Sequence, residues 1–125
     1  MTQLHQGLMI NVRAEPPGQV VVLRGALDWT TSEDAERVLE TACRAQNEGG
    51  PMMILDLSAL QFCDSAGVSC LVRMWRRIDD AGGTLVLAGL HGKPEELLHR
   101  TGVLGRALDA YPTLELAQQA LARQV

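Results

Sequence analysis

The residues of this chain whose types and spacing best suit chemistry are Asp64-Ser65-Ala66-Gly67, between an apolar strand and an amphipathic helix. This order places the hydroxyl of Ser65 at the N-terminus of the helix. There the first backbone N–H groups have no partner within the helix, and the helix dipole favours negative charge. Ser65 therefore either caps the helix or presents a hydroxyl that can carry a phosphate.

A nucleophilic role for Ser65 would require a base, and the sequence shows no pattern that supplies one. The motif departs from G-x-S-x-G, because Cys63 stands where the first glycine would be. The histidines are His5, His91 and His99, and we expect His5 to lie in a frayed terminus. A serine without an oriented base is a poor nucleophile, so the chain is not predicted to be a hydrolase.

Other glycine, histidine and cysteine positions give weaker signals. Gly49-Gly50 and Gly82-Gly83 follow predicted helices and fit no phosphate-binding loop, so we interpret them as helix stops. The segment His91-Gly92-Lys93-Pro94 follows a predicted strand, where α/β sheets often bind ligands, but its composition favours a solvated loop. The cysteines have no metal-binding spacing. No cofactor and no metal site is predicted.

The composition limits the classes of partner. A formal net charge of −4, without long runs of basic residues, argues against nucleic acid as a partner. The chain has no apolar run of the roughly 18 residues that a membrane helix needs. The cysteines are odd in number and suggest no disulfide framework. We therefore expect a soluble, cytoplasmic protein with reduced thiols.

The hydrophobic pattern predicts an α/β fold. Strands are predicted at residues 8–13, 20–23, 52–57 and 84–88, with a short edge strand at 108–111. Helices are predicted from about 30 to 46, from 65 to 81, from 94 to 101 and after Thr113, and Gly102 is predicted to close the third of them. The pairs Thr30/Glu33 and Thr31/Asp34 have capping-box spacing at the first helix. This order predicts one domain over residues 1–125, with a core at about 8–123 and about four helices. An antiparallel hairpin would open its mixed, mostly parallel sheet.

Helical spacing divides the surface of the helix after Ser65 into three parts. The side chains expected to point into the core are Val68, Leu71, Val72, Trp75 and Ile78. Ser65, Ser69, Arg73 and Arg76 share the outward face. Between the two faces lie Ala66, Cys70 and Met74, apolar where a solvated helix would usually be polar. This strip is either a docking surface for a partner or a widening of the core.

Taken together, the motifs resemble the STAS domain and, more narrowly, the bacterial anti-sigma factor antagonists, or anti-anti-sigma factors. The resemblance covers nearly the whole chain. It rests on Gly25-x-Leu27-Asp28, on Leu55-Asp56-Leu57-Ser58-x-Leu60-x-Phe62-x-Asp64-Ser65-x-Gly67, and on Gly82-Gly83 before a strand.

The resemblance implies a phosphorylation switch that regulates transcription. A partner anti-sigma factor, itself a serine kinase, would phosphorylate Ser65, which Asp64 and Gly67 frame. The unphosphorylated antagonist would bind the anti-sigma factor and so release a sigma factor, and a metal-dependent serine phosphatase would reset the switch. Family members often have a second hydroxyl residue after the target serine, and this chain has Ala66.

On this interpretation the chain is a binding module and not an enzyme. The residues predicted to bind the partner are Asp28, Asp64, Ser65, Ala66, Gly67, Ser69, Cys70, Arg73 and Met74. An alternative with the same fold is a STAS accessory subunit of a membrane transport ATPase complex, which is not phosphorylated. A third class is a small-ligand or nucleotide sensor. The sequence contains no phosphate-binding loop, which argues against this class.

Overall fold

The computed structural model describes residues 1–16, 18–45, 50–106 and 108–123. Within these ranges the strands are β1 (Thr2–His5), β2 (Leu8–Glu15), β3 (Gly18–Leu27), β4 (Met52–Asp56), β5 (Leu60–Cys63), β6 (Thr84–Ala88) and β7 (Asp109–Tyr111). The helices are α1 (Ser32–Arg44), α2 (Ser65–Asp80), α3 (Gly92–Thr101) and α4 (Leu114–Ala122). These strands form a sheet in the order β1-β2-β3-β4-β6-β7, and β5 pairs with β3.

The direction in which neighbouring strands pair depends on whether a helix connects them. β2 and β3 are consecutive in the chain and pair antiparallel, from Leu8 opposite Gly25 to Glu15 opposite Gly18. β3, β4, β6 and β7 are each followed or preceded by a helix, and they pair in parallel. The predicted α/β fold, with an opening hairpin on a mixed, mostly parallel sheet, is confirmed.

The sheet is covered on both faces. α1, α2 and α3 pack on one face over the larger apolar cluster, which includes Val21 and Leu23 of β3. α4 packs on the other face over a smaller cluster that includes Val20 and Ile54. This double cover explains why β3 and β4 are continuously apolar instead of alternating.

Two strands were not predicted. β1 pairs antiparallel with β2, so His5 does not fray as expected, and its Nδ1 lies 3.6 Å from Asp34 Oδ2. β5 is too short for its burial pattern to show a strand period. The predicted stops after α2 and α3 are confirmed, because Gly82 and Gly102 have left-handed φ angles of 78° and 74°. The predicted stop after α1 lies largely in residues 46–49, outside the described ranges.

The capping box predicted for α1 is wrong. Thr31 occupies the N-cap position without a side-chain cap hydrogen bond. Its buried hydroxyl instead donates to Ala26 O at 2.9 Å and accepts from Asp28 N–H at 3.0 Å. Thr31 thus connects α1 to the end of β3. In the described part of the chain, no helix combines the length and the apolar character needed to span a membrane.

Candidate functional site

The candidate site lies where β3 and β5 end together. The two strands run parallel, with Leu27 opposite Cys63. The chain reaches this position because it turns after β4, where Leu60 N–H donates to Leu57 O at 3.1 Å, and returns to β3. The segments that begin at Asp28 and Asp64 therefore leave the same edge of the sheet, side by side.

Asp64 is the residue that holds these two segments together. It occupies the N-cap position of α2, and its Oδ1 accepts a hydrogen bond from Gly67 N–H at 3.0 Å. Its Oδ2 accepts a second hydrogen bond, from Trp29 N–H in the β3–α1 loop, also at 3.0 Å. One carboxylate thus fixes both the first turn of α2 and the neighbouring loop.

Ser65 is the first residue of α2 and is exposed. Because Asp64 provides the cap, the interpretation of Ser65 as a capping residue is wrong. Among the described residues, no hydrogen bond occupies the Ser65 hydroxyl. A phosphate attached there would lie at the positive end of the α2 dipole but beside the carboxylate of Asp64.

Gly67 has a steric role in placing Ser65. A Cβ atom at this position would lie 2.2 Å from Leu27 O and 2.7 Å from Cys63 Sγ, distances at which atoms overlap. A larger residue would push the start of α2 away from the ends of β3 and β5. The frame that the resemblance assigned to Asp64 and Gly67 therefore has a physical basis in this structure.

Asp28 shapes the loop that carries Trp29. Its Oδ1 accepts hydrogen bonds from the Thr30 hydroxyl at 2.6 Å and from Thr30 N–H at 2.9 Å. These bonds, that of the Thr30 hydroxyl foremost, lower the pKa of Asp28 below its usual value. Because the Asp28 carboxylate already accepts hydrogen bonds within its own turn, it fixes the conformation of the loop.

Two exposed aromatic side chains flank the site, and sequence reasoning did not select either as a partner contact. Trp29 is 77% exposed and Phe62 is 50% exposed. Large apolar side chains are usually buried, and exposed aromatic residues are frequent anchors of protein interfaces. A usable signal was present, because aromatic residues are only 3% of the chain. In the structure Trp29 lies just after β3, and Phe62 lies near the end of β5.

The apolar strip on α2 is part of the core. Cys70 and Met74 are 0% and 1% exposed, so their prediction as partner-binding residues is wrong. The reason is that α1 packs beside α2 and covers this strip, with Cys70 Sγ 3.5 Å from Ser32 O. Burial raises the pKa of the Cys70 thiol to about 12.

Arg73 also faces α1. Its guanidinium binds both carboxylate oxygens of Glu36, with Nε 3.2 Å from each and Nη2 3.0 Å from Oε2. This hydrogen bonding raises the pKa of Arg73. Of the other predicted contacts, Ser69 is exposed, Ala66 is half-buried and Gly67 is buried. The exposed part of the site therefore consists of Ser65, Ser69, the paired Arg73 and the two aromatic side chains.

Comparison with known proteins identifies the family. The sequence profile of the STAS domain matches residues 9–117. This chain belongs to the STAS domain family. None of the curated protein sequences compared with it gives a significant match.

Several solved structures share the fold of this STAS domain. An anti-sigma factor antagonist from Mycobacterium paratuberculosis is 23% identical, with a TM-score of 0.80 over 92% of this chain and 94% of its own. The phosphorylated form of the Bacillus cell fate determinant SpoIIAA is 20% identical, with a TM-score of 0.65 over 89% of this chain and 98% of its own. The murine anion transporter Slc26a9 is 18% identical, with a TM-score of 0.71 over 89% of this chain and 19% of its own.

The histidines of this STAS domain lie away from Ser65. His5 lies near Asp34, and His91 Nε2 lies 2.9 Å from Ser58 O. His99 is exposed on α3. Among the described residues, no three His, Cys, Asp or Glu side chains converge as a metal site would require. Among the described residues, the hydrogen-bond and ion-pair partners of the His5 and His91 rings do not include the Ser65 hydroxyl.

Proposed function

We propose that this STAS domain is an anti-sigma factor antagonist whose binding is switched off by phosphorylation of Ser65. The observation that carries the proposal is the exposed, unbonded Ser65 hydroxyl at the start of α2, beside the exposed side chains of Trp29 and Phe62. The likeness to solved anti-sigma factor antagonists, one of them phosphorylated, supports it. The partners would be an anti-sigma factor that is a serine kinase and a metal-dependent serine phosphatase.

In the unphosphorylated state, the partner would bury the aromatic surface formed by Trp29 and Phe62. Phosphorylation of Ser65 adds about −1.5 to −2 charges at neutral pH. In the free domain the phosphate remains hydrated, and the α2 dipole stabilises it by roughly 0.3–1 kcal/mol. In the complex the phosphate would lose its water beside Asp64, at a cost of several kcal/mol. Such a cost weakens binding by about a hundredfold or more without any refolding.

Mass spectrometry after incubation with the anti-sigma factor and ATP tests the modification. We expect one phosphate on the wild-type chain, none on Ser65→Ala and one on the control Ser69→Ala. Ser32 is only 9% exposed, and the Ser58 hydroxyl already donates to Asp56 Oδ1 at 2.7 Å. A major phosphorylation site at Ser32 or Ser69 would contradict the proposal.

Calorimetric titration with the anti-sigma factor tests the switch. We expect Ser65→Ala to bind as the wild type does, the phosphorylated chain to bind about a hundredfold more weakly, and Ser65→Asp to show part of that loss, because it adds a single charge. Equal binding of the phosphorylated and unphosphorylated chains would refute the switch. Stable binding to a transport ATPase without phosphorylation would instead favour the alternative of a transport subunit.

The same titration tests the aromatic surface. We expect Trp29→Ala and Phe62→Ala each to weaken binding by about 1–3 kcal/mol while the domain stays folded. Leu116→Ala is a matched control, because Leu116 is 44% exposed on α4, on the opposite face of the sheet. An equal loss in all three variants would show that the site does not depend on this surface.

A further inference from the structure

The edge of the sheet formed by β1 carries backbone groups that the fold leaves unpaired. β1 is the first strand in the sheet order and pairs with β2. Met1 and Val12 exchange two backbone hydrogen bonds, each of 2.7 Å, and in an antiparallel pair such bonding recurs at every second residue. The residues that alternate with the bonded ones, Thr2 and Leu4, therefore direct their N–H and C=O groups away from β2. Within the described part of the chain, no hydrogen bond occupies those groups.

β1 lacks most of the features with which proteins protect a sheet edge. Natural edge strands often carry lysine, proline or inward-pointing charges, or are covered by another element. β1 reads Thr-Gln-Leu-His, and its one protective feature is its length of four residues. Leu4 is 70% exposed, and Met9, which lies opposite it on β2, is 38% exposed. The edge therefore presents unpaired backbone groups beside an exposed apolar pair, which is the chemistry that another strand recognises.

Helix α1 runs beside this edge of the sheet. His5 Nδ1 of β1 lies 3.6 Å from Asp34 Oδ2 in the first turn of the helix. A cavity of about 330 Å³ is lined by both elements and extends along α1 as far as Thr41 and beyond. α1 is acidic in its first turn, at Glu33 and Asp34, and basic in its last turn, at Arg44. The side chains at its two ends therefore carry opposite charges.

We propose that two copies of this chain associate through β1, with the two strands antiparallel about a two-fold axis. With Thr2 of each copy opposite Leu4 of the other, each such pair exchanges both of its backbone hydrogen bonds, and Gln3 lies at the axis. The two sheets then form one continuous sheet. The Leu4 side chains of the two copies lie diagonally across the junction, at a separation that long side chains span, and each is flanked by Met9.

The charges of α1 favour a second copy as the occupant of this edge. The axis that pairs the two β1 strands also makes the two α1 helices antiparallel. The acidic first turn of each helix, which carries Glu33, then lies towards the basic last turn of the other, which carries Arg44. Opposite charges therefore face each other at both ends of the helix pair.

The contact is closed and small. Both copies use the same edge, so the association ends at a dimer. A single four-residue strand from each copy forms its centre, and we therefore expect a reversible dimer with a dissociation constant in the micromolar range. Ser65 lies on another element, so this inference does not rest on its phosphorylation.

Sedimentation equilibrium of the full chain tests the association. As the concentration rises from micromolar to millimolar, the mass should rise from the 13.6 kDa of one chain towards twice that value. A monomer at all concentrations would overturn the proposal. Growth beyond the dimer would overturn it as well, since a two-fold contact leaves no further β1 edge free.

Amide hydrogen exchange locates the contact. In the monomer the N–H groups of Thr2 and Leu4 face solvent, so their exchange should slow by about tenfold or more as the dimer forms. The Leu8 amide, which lies on β2 within the sheet, should be protected equally at both ends of the concentration range. A dimer that leaves the exchange of the Leu4 amide unchanged would show that β1 is not the contact.

A lysine substitution on the edge completes the experiment. Leu4→Lys places two ammonium groups diagonally across the junction, and the dissociation constant should rise by about tenfold or more. Leu116→Lys is the matched control, because Leu116 is also exposed, at 44%, and lies on α4. Circular dichroism melts should show that both variants fold, since both side chains are exposed. An unchanged dissociation constant in Leu4→Lys, or an equal rise in both variants, would overturn the proposal.

Discussion

Replacement of Asp64 by alanine should destabilise the fold more than the loss of an ordinary helix cap does. Asp64 accepts one hydrogen bond from Gly67 within α2 and another from Trp29 in the β3–α1 loop, both at 3.0 Å. Asp64→Ala removes both acceptors and leaves the two N–H groups to water. The start of α2, and Ser65 with it, would then lose its connection to the neighbouring loop.

The expected magnitude follows from these two bonds. Loss of an N-cap costs about 1 kcal/mol, and loss of a second, partly exposed hydrogen bond costs about 1 kcal/mol more. We therefore expect the free energy of unfolding to fall by about 2 kcal/mol in Asp64→Ala. Asp64→Asn keeps one acceptor oxygen and should lose roughly half of that amount. Thr113 caps α4 through a single bond from Leu116 N–H at 3.2 Å, so Thr113→Ala should lose about 1 kcal/mol.

Urea unfolding followed by circular dichroism would measure these differences. The slope of the free energy against urea should be unchanged in all three variants, because each is a local change in a folded domain. The decisive comparison is between Asp64→Ala and Thr113→Ala. If the first loses no more stability than the second, the bond from Trp29 contributes nothing, and Asp64 does not link the loop to α2.

Four further outcomes are expected. Met74→Glu and Leu71→Glu should each lower the free energy of unfolding by about 3 kcal/mol or more, because both positions are buried. A melting temperature of Met74→Glu near that of the wild type would contradict this. Gly67→Ala should lower the melting temperature, because α2 must move to admit a Cβ, at about 1–3 kcal/mol. Burial raises the pKa of the Cys63 and Cys70 thiols from 9.0 to about 12, so these thiols should resist alkylation at pH 8 while the half-buried Cys43 reacts first. Because the unfolded thiols ionise above pH 9 and the folded ones do not, their contribution to stability is complete below pH 9 and is lost as the pH rises towards 12.

Local periodicity was sufficient to predict most of the fold. The order of helices and parallel strands, the helix after Ser65, and the stops at Gly82 and Gly102 depend on residues a few positions apart. Such patterns are visible in sequence because a helix or strand places neighbouring residues on one face. β1 and β5 were missed because each is four residues long, too short to show a period.

The composition of the site depended on contacts that no local pattern contains. Met74 is apolar in sequence whether a partner or α1 covers it, and only the packing of α1 against α2 makes it core. Asp64 was recognised as part of a motif, but its bond to Trp29 joins residues 35 positions apart. The sequence by itself determined most of the elements and the position of Ser65 at a helix start. Which side chains surround that serine, and which are covered, was decided by tertiary packing, because burial depends on neighbours distant in the chain.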